Sequence, residues 1–338
     1  MPLPSDVAGL VEGARAGRPR AVARLVTLIE SSSLSLREVM RALAPDTGRA
    51  CVIGLTGSPG VGKSTTTTAL VAGLRDRGQR VGVLAVDPSS PFSGGALLGD
   101  RVRMQQHALD PQVFIRSMAT RGHLGGLAAA APQALRVFDA AGCDIVVVET
   151  VGVGQSEVEI AGLADVTVVL LAPGMGDGIQ AAKAGILEVG DLFVVNKADR
   201  DGAHAVVRDL RTMVAMAARE PHEWKPPVLT TVASAGTGIA ELMAGIDRFV
   251  DHAHRDGSWE VRRTRRAGRE IEALALGELR SRFQVSGQAG LPDLARAVRE
   301  GRLDPYAAAD ELVAQVTRVD GEERDLRRGG MGLLGFVG

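Results

Sequence analysis

CVIGLTGSPGVGKST, residues 51–65, reads as a short apolar strand that runs straight into a glycine-rich turn and then into a helix. The turn spells G-x-x-x-x-G-K-S through Gly57, Ser58, Pro59, Gly60, Val61, Gly62, Lys63 and Ser64, with Thr65 behind it. Glycines allow backbone conformations that point successive N–H groups into one cradle, and the following helix offers the positive end of its dipole. Strand, loop and helix together predict a phosphate-binding loop, with Lys63 across the β and γ phosphates and Ser64 on a Mg²⁺ ion.

Outward from that loop, the apolar runs CVIGL, VGVLAV, IVVV, VTVVLL, LFVV and VLTTV alternate with helix-length segments as far as about Val250. Unbroken runs of Val, Ile and Leu are what strands covered on both faces look like. The expected fold is α/β: a P-loop NTPase with a mostly parallel sheet covered by helices on both faces, plus N-terminal and C-terminal helical extensions. Residues 5 to about 43 read as helical, with Val22, Leu25, Val26 and Ile29 on one face. Ile271, Leu274, Ala275 and Leu279 form a second apolar stripe, and residues 306–316 continue the helical reading. The expected divisions are an N-terminal extension 1–45, a nucleotide domain 46–250, a helical arm 251–328 and a flexible Gly-rich tail 329–338. The arm is expected to reach a second copy and make a homodimer, because its stripe must be buried somewhere.

A chain of 338 residues with 45% apolar and 23% charged side chains can bury a sizeable core, which excludes the disordered class. Its 39 basic and 40 acidic residues leave a formal charge of -1, so no global field draws it to nucleic acid or to an anionic membrane. No run approaches the roughly 18 apolar residues of a membrane span. The N-terminus lacks the basic and apolar regions of a signal peptide, and Cys51 and Cys143 read as reduced core thiols, so the cytoplasm is the expected compartment. The only lysines are Lys63, Lys183, Lys197 and Lys225, and the only asparagine is Asn196. A lysine in so arginine-rich a background is a candidate for a site that needs a compact ammonium.

Magnesium favours carboxylates and water, so the sheet should present acids at the carboxyl ends of strands near the loop. VGVLAVD ends in Asp87 and DIVVVE in Glu149, while Asp100 lies in a Gly-containing loop able to close over a γ-phosphate. Farther on, LFVV runs into Asn196-Lys197-Ala198-Asp199, an N-K-x-D. Guanine presents N1–H and its N2 amino group side by side, and the Asp199 carboxylate suits both; adenine lacks these donors and would leave the acid unsatisfied. Asn196 either bonds the other edge of the base or ties loops together, and the Lys197 stem lies along the ring. Ser234 and Ala235 occupy the loop that would lend a backbone N–H to the guanine carbonyl. GTP or GDP is therefore the expected nucleotide and Mg²⁺ the expected cofactor.

The blocks GSPGVGKST, AVDPSS, GGALLGDRVRM, ETVGVGQSE, LAPGMGD and NKAD, in this order, resemble the MeaB/ArgK family of P-loop GTPases, of the dimerising SIMIBI class. VARLVTLIES and DPYAAADEL extend the resemblance over nearly the whole chain. It implies a slow GTPase acting as a G-protein chaperone for a separate adenosylcobalamin-dependent acyl-CoA mutase, chiefly methylmalonyl-CoA mutase, gating cofactor loading and protecting the mutase. It also implies Lys63 and Ser64 at phosphates and metal, Asp87, Asp100 and Glu149 around Mg²⁺, and Asn196 and Asp199 at guanine. Switch segments would correspond to the Asp100 loop, to Val151 through Glu159, and to Ala172 through Lys183. In the last, PGMGDGIQAAKAG keeps Asp177, Gln180 and the catalytic candidate Lys183, but lacks an acid and a lysine usual in relatives. Gln155 lies too far past Gly152 for the water-positioning role that Ras-like enzymes give a glutamine.

Other readings meet specific obstacles. An ATP-dependent kinase or ATPase linked to basic amino-acid transport is an alternative that Asp199 discriminates. A metallochaperone GTPase needs soft ligands, which scattered His and two separated Cys do not supply. Arg262, Arg263, Arg265, Arg266 and Arg269 lack interleaved aromatics and read as a solvated helix face or an interface, not as a nucleic-acid site.

Overall fold

Strands form wherever the apolar runs fall: β1 (Cys51–Thr56), β2 (Val81–Pro88), β3 (Val113–Thr120), β4 (Ile145–Thr150), β5 (Val166–Leu171), β6 (Leu192–Asn196) and β7 (Val228–Thr231). They make one sheet in the order β3-β2-β4-β1-β5-β6-β7, and every neighbouring pair is parallel. The computed structural model describes residues 5–31, 35–88, 105–107, 109–120, 130–150, 156–174, 187–217, 220, 223–286 and 290–314.

The sequence runs foretell six of these strands, and β3 is the addition. VFIRSMAT is broken by Arg116 and Ser117, because β3 is an edge strand and does not need apolar cover throughout. Arg116 turns this to use: it donates to Ala23 O at 2.8 Å and Thr27 Oγ1 at 3.2 Å, both on the helix Pro19–Glu30.

Side chains alternate between the faces of the sheet. Val52, Leu84, Val86, Val146 and Val148 meet the helices Pro19–Glu30, Ala131–Ala140 and Ser156–Leu163 on one face. Ile53, Leu55, Val83, Val147, Val168 and Val194 meet the helices Lys63–Asp76 and Ile239–Arg255 on the other. Val169, Phe193 and Val195 pack under Ala203–Met216. The N-terminal helical reading resolves into three helices, Ser5–Arg15, Pro19–Glu30 and Leu36–Leu43, with Pro19 opening the second where a missing N–H does no harm. Val22, Leu25, Val26 and Ile29 are buried, as their spacing implies.

At the amino ends of the strands an aspartate recurs. Asp144, Asp165 and Asp191 precede β4, β5 and β6, and their carboxylates accept the backbone N–H of Arg80, Val52 and Thr167 at 2.7, 2.9 and 2.8 Å. Each thus satisfies a donor at the start of the neighbouring strand.

Contacts divide the chain into two units, residues 1–264 and 265–338, with the helix Ser258–Ser286 running through the division. In the second unit lie the helix Leu291–Arg299 and a helical stretch over 305–314, whose start is capped by Asp304 accepting from the N–H groups of Tyr306 and Ala307. Ile271, Leu274 and Leu279 are exposed. The tail 329–338 lies outside the described residues.

Candidate functional site

A parallel sheet brings the carboxyl ends of its strands to one edge, where the following loops converge. There β1 passes into the glycine loop and the helix Lys63–Asp76. Two glycines are irreplaceable. Gly57 has φ 139°, and a Cβ on it would overlap the carbonyl oxygen of Leu170 on β5. Gly62 has φ 98°, and a Cβ on it would overlap Asn196 Nδ2. Lys63 is 7% exposed and its Nζ donates to Gly57 O at 2.7 Å and Ser58 O at 3.2 Å, so the ammonium lies against the loop. Val61 is buried, whereas Pro59, Gly60 and Thr65 are exposed.

Glu149, 4% exposed, closes β4 in register with Leu55 of β1. Ser64 Oγ donates to its Oε1 at 2.5 Å, and Thr67 Oγ1 to its Oε2 at 2.9 Å. A hydroxyl beside a carboxylate is a pair of hard oxygen donors, the kind Mg²⁺ takes from a protein while keeping water and phosphate oxygens for its other places. The donors therefore fit a hard divalent cation. Among the described residues no group of three or more His, Cys, Asp and Glu side chains could hold a metal ion. The backbone of Asp87 reaches the same edge, one residue past Val86, which pairs with Thr150. Its side chain lies outside the described residues, as do Asp100, Gln155, Asp177, Gln180 and Lys183.

The end of β6 is bound to the glycine loop. Asn196, 3% exposed, donates from Nδ2 to Val61 O at 2.9 Å, and its Oδ1 accepts from Thr231 Oγ1 at 3.0 Å and Ala233 N at 3.1 Å. Of the two roles its position allows, the geometry displays the loop tie. Lys197 adopts φ 57°, a left-handed conformation rare for a residue with a side chain, and its Nζ donates to Gly60 O at 2.6 Å. Asp199, Ser234 and Ala235 are exposed, the last two within the short helix Ala233–Ala235. Thr67 and Thr231, which motif spacing does not single out, hold the two key polar side chains. A run of threonines over 65–68 was the one visible signal.

A cavity of about 860 Å³, lined by Asp191, Trp224, Phe249, His252 and Arg262 among others, lies elsewhere. Asp191 stands at the amino end of β6, the edge of the sheet remote from the glycine loop, and no motif residue lines this cavity.

The sequence model of a family described as methylmalonyl-CoA mutase-associated GTPase MeaB matches residues 22–288. A GTPase-named protein of Pyrococcus abyssi is 45% identical over 310 residues, covering 91% of this chain and 96% of its own. GTPase ArgK of Escherichia coli is 42% identical over 244 residues, 70% of this chain and 73% of its own. The methylmalonic aciduria type A homolog of Caenorhabditis elegans, named as mitochondrial, is 34% identical over 91% of this chain and 82% of its own. A solved structure described as an LAO/AO transport system kinase superposes with TM-score 0.70 at 28% identity, covering 94% of this chain and 99% of that one.

Proposed function

The chain belongs to the MeaB family of GTPases, and from that premise we propose that it is a G-protein chaperone of an adenosylcobalamin-dependent acyl-CoA mutase, foremost methylmalonyl-CoA mutase. The observation that carries the reading is the match over residues 22–288 to a family described by its association with that mutase. The relative named for methylmalonic aciduria supports it. The mutase is a separate chain, the chaperone is a homodimer through the stripe of Ile271, Leu274 and Leu279, and the compartment is the cytoplasm. No helix among the described residues is long and apolar enough to cross a membrane.

Phosphoryl transfer asks a protein for positioning and charge stabilisation more than for covalent chemistry. In the proposed site the N–H groups of residues 57–65 and the Lys63 ammonium hold the β and γ phosphates. Ser64 and Glu149, with Asp87 and Asp100, hold Mg²⁺, which when bound neutralises phosphate charge. Asp199 accepts from guanine N1–H and N2–H, while Asn196 and Lys197 brace the loop beneath the base, with Ser234 and Ala235 beside it. Lys183 comes from a segment that answers to the partner, so hydrolysis by the lone chain is slow and the mutase completes the site.

Gel filtration of the chain with the acyl-CoA mutase of the same organism, in GDP and in a non-hydrolysable GTP analogue, tests this. Co-elution that depends on the nucleotide, with GTP turnover raised severalfold by the mutase, is expected. Separate elution in both nucleotides with unchanged turnover overturns the chaperone reading and leaves the transport-linked alternative.

A further inference from the structure

We propose that Thr67 is a positioning residue for Glu149, and through it sets how strongly a divalent ion tightens nucleotide binding. The inference rests on the reading of Ser64 and Glu149 as the Mg²⁺ side of the site. Thr66, Thr67 and Thr68 each turn their hydroxyl back to a carbonyl one turn earlier, at 2.9, 3.1 and 2.9 Å. Thr67 has in addition Glu149 Oε2 at 2.9 Å. A hydroxyl carries one proton, and a carboxylate is a stronger acceptor than a helix carbonyl already bonded along the helix. The proton therefore goes mainly to Glu149. Thr67 is fully buried and Glu149 nearly so, where the loss of one donor to a carboxylate is costly because water does not readily replace it.

Ser64 and Thr67 stand three residues apart on one helix, a spacing that places them on one face. Ser64 takes Oε1 and Thr67 takes Oε2. With one donor on each oxygen, the two hydroxyls together orient the plane of the carboxylate before any ion arrives. Outer groups that orient an inner donor in this way commonly matter about 10- to 100-fold in metal affinity. Thr67 lies beyond the glycine loop, so its effect falls on the ion and not on the nucleotide directly.

The test measures fluorescent GDP affinity with EDTA and with Mg²⁺ for the wild type, Thr67→Val and Thr67→Ser. Binding of Mn²⁺, followed by electron paramagnetic resonance, reads the ion without turnover. In EDTA the three proteins should bind GDP alike. Mg²⁺ should tighten binding to the wild type and the Ser variant equally, and to the Val variant about tenfold less. A Val variant tightened as strongly as the wild type overturns the inference, and so does a Ser variant that loses as much as Val. A wild type indifferent to Mg²⁺ overturns the metal reading itself, so the two failures are distinct. Should the Val chain not fold, Thr67→Cys, similar in size and a poor donor, replaces it in the same comparison.

Discussion

Asn196 leaves Gly62 no room for a side chain, because a Cβ there would overlap the same Nδ2 that donates to Val61 O at 2.9 Å. One buried carboxamide thereby joins the glycine loop to the end of β6 and, through Thr231 and Ala233, to the turn after β7. The proposed phosphate and base sites are one hydrogen-bonded unit. Gly62→Ala should break it twice over, by the overlap and by the φ of 98°, which disfavours any residue with a Cβ. GDP affinity is expected to fall by about 100-fold, the combined effect of left-handed strain and a lost buried bond. Titration of labelled GDP checks this, with circular dichroism of the unliganded chain retaining its helix and sheet signal. An affinity within threefold of the wild type would contradict the coupling.

Asp199 is exposed and forms no hydrogen bond with any other described residue, so altering it should cost little stability. Its two carboxylate oxygens match the paired donors of guanine. Asp199→Asn replaces one acceptor by a donor, which suits xanthine, where a carbonyl stands in place of the amino group. GTP affinity should fall by about two orders of magnitude while XTP affinity rises, since a site built to satisfy polar groups penalises a mismatch. Competition among GTP, XTP and ATP against a labelled nucleotide measures it. ATP binding as tightly as GTP in the unaltered chain would remove guanine specificity altogether.

Ile271 and Leu274 are 68% and 53% exposed on the helix Ser258–Ser286. If that stripe is the dimer contact, charging it should separate the copies. Ile271→Glu with Leu274→Glu is expected to sediment as a monomer at concentrations where the wild type is a dimer, with GDP affinity retained. A doubly charged variant that stays dimeric places the contact elsewhere.

How much of this was legible beforehand follows from the range of each interaction. β1, β2 and β4 through β6 are visible as apolar runs because both their faces are covered, and β7, a half-exposed edge strand, is still visible because no charged side chain breaks VLTTV. β3 is not, because Arg116 and Ser117 break its run at an edge. The glycines of the loop announce themselves by spacing. The orientation of Asn196 does not, since it depends on a carbonyl 135 residues away. Thr67 sits in a threonine run that looks like filler until β4 brings Glu149 beside it. Arg262 and Arg263 read as part of a solvated helix face or an interface. Only the register of their helix against Asp191 and Asp165 reveals them as partners of two buried aspartates.

Arg263 grips Asp165 with a fork, Nε to Oδ1 at 3.2 Å and Nη2 to Oδ2 at 3.1 Å, and also reaches Gly48 O and Ala50 O. Asp165 is 1% exposed, so removing the guanidinium leaves a buried carboxylate without this cation and dependent on its other contacts, the Val52 N–H among them. Arg263→Ala should lower unfolding free energy by about 3–5 kcal/mol, the usual result of breaking one side of a buried pair. Arg263→Lys should fall between, because an ammonium cannot reproduce the planar fork. Urea denaturation measures both, and a loss under about 1 kcal/mol for the alanine variant would show that Asp165 is adequately held by its other partners.

Asp110 tests the sign of a pH effect. Arg75 Nε donates to its Oδ2 at 2.8 Å and Gln112 N to its Oδ1 at 2.8 Å, tying the turn before β3 to the helix Lys63–Asp76. These bonds hold the carboxyl below the usual carboxylate range, the Arg75 bond first and the Gln112 N–H second. A lowered native pKa means that the unfolded chain takes up its proton first as acid is added. The stabilisation is therefore complete above the unfolded value and is lost as pH falls through the native one. Both partners are partly exposed, so the ion pair is screened and contributes only about 0.5–1 kcal/mol. Asp110→Asn should be less stable than the wild type by that amount at neutral pH, and the gap should close in acid and shrink in high salt. Denaturation curves of the two chains at neutral and acidic pH decide it, and a gap that widens in acid would reverse the assigned sign.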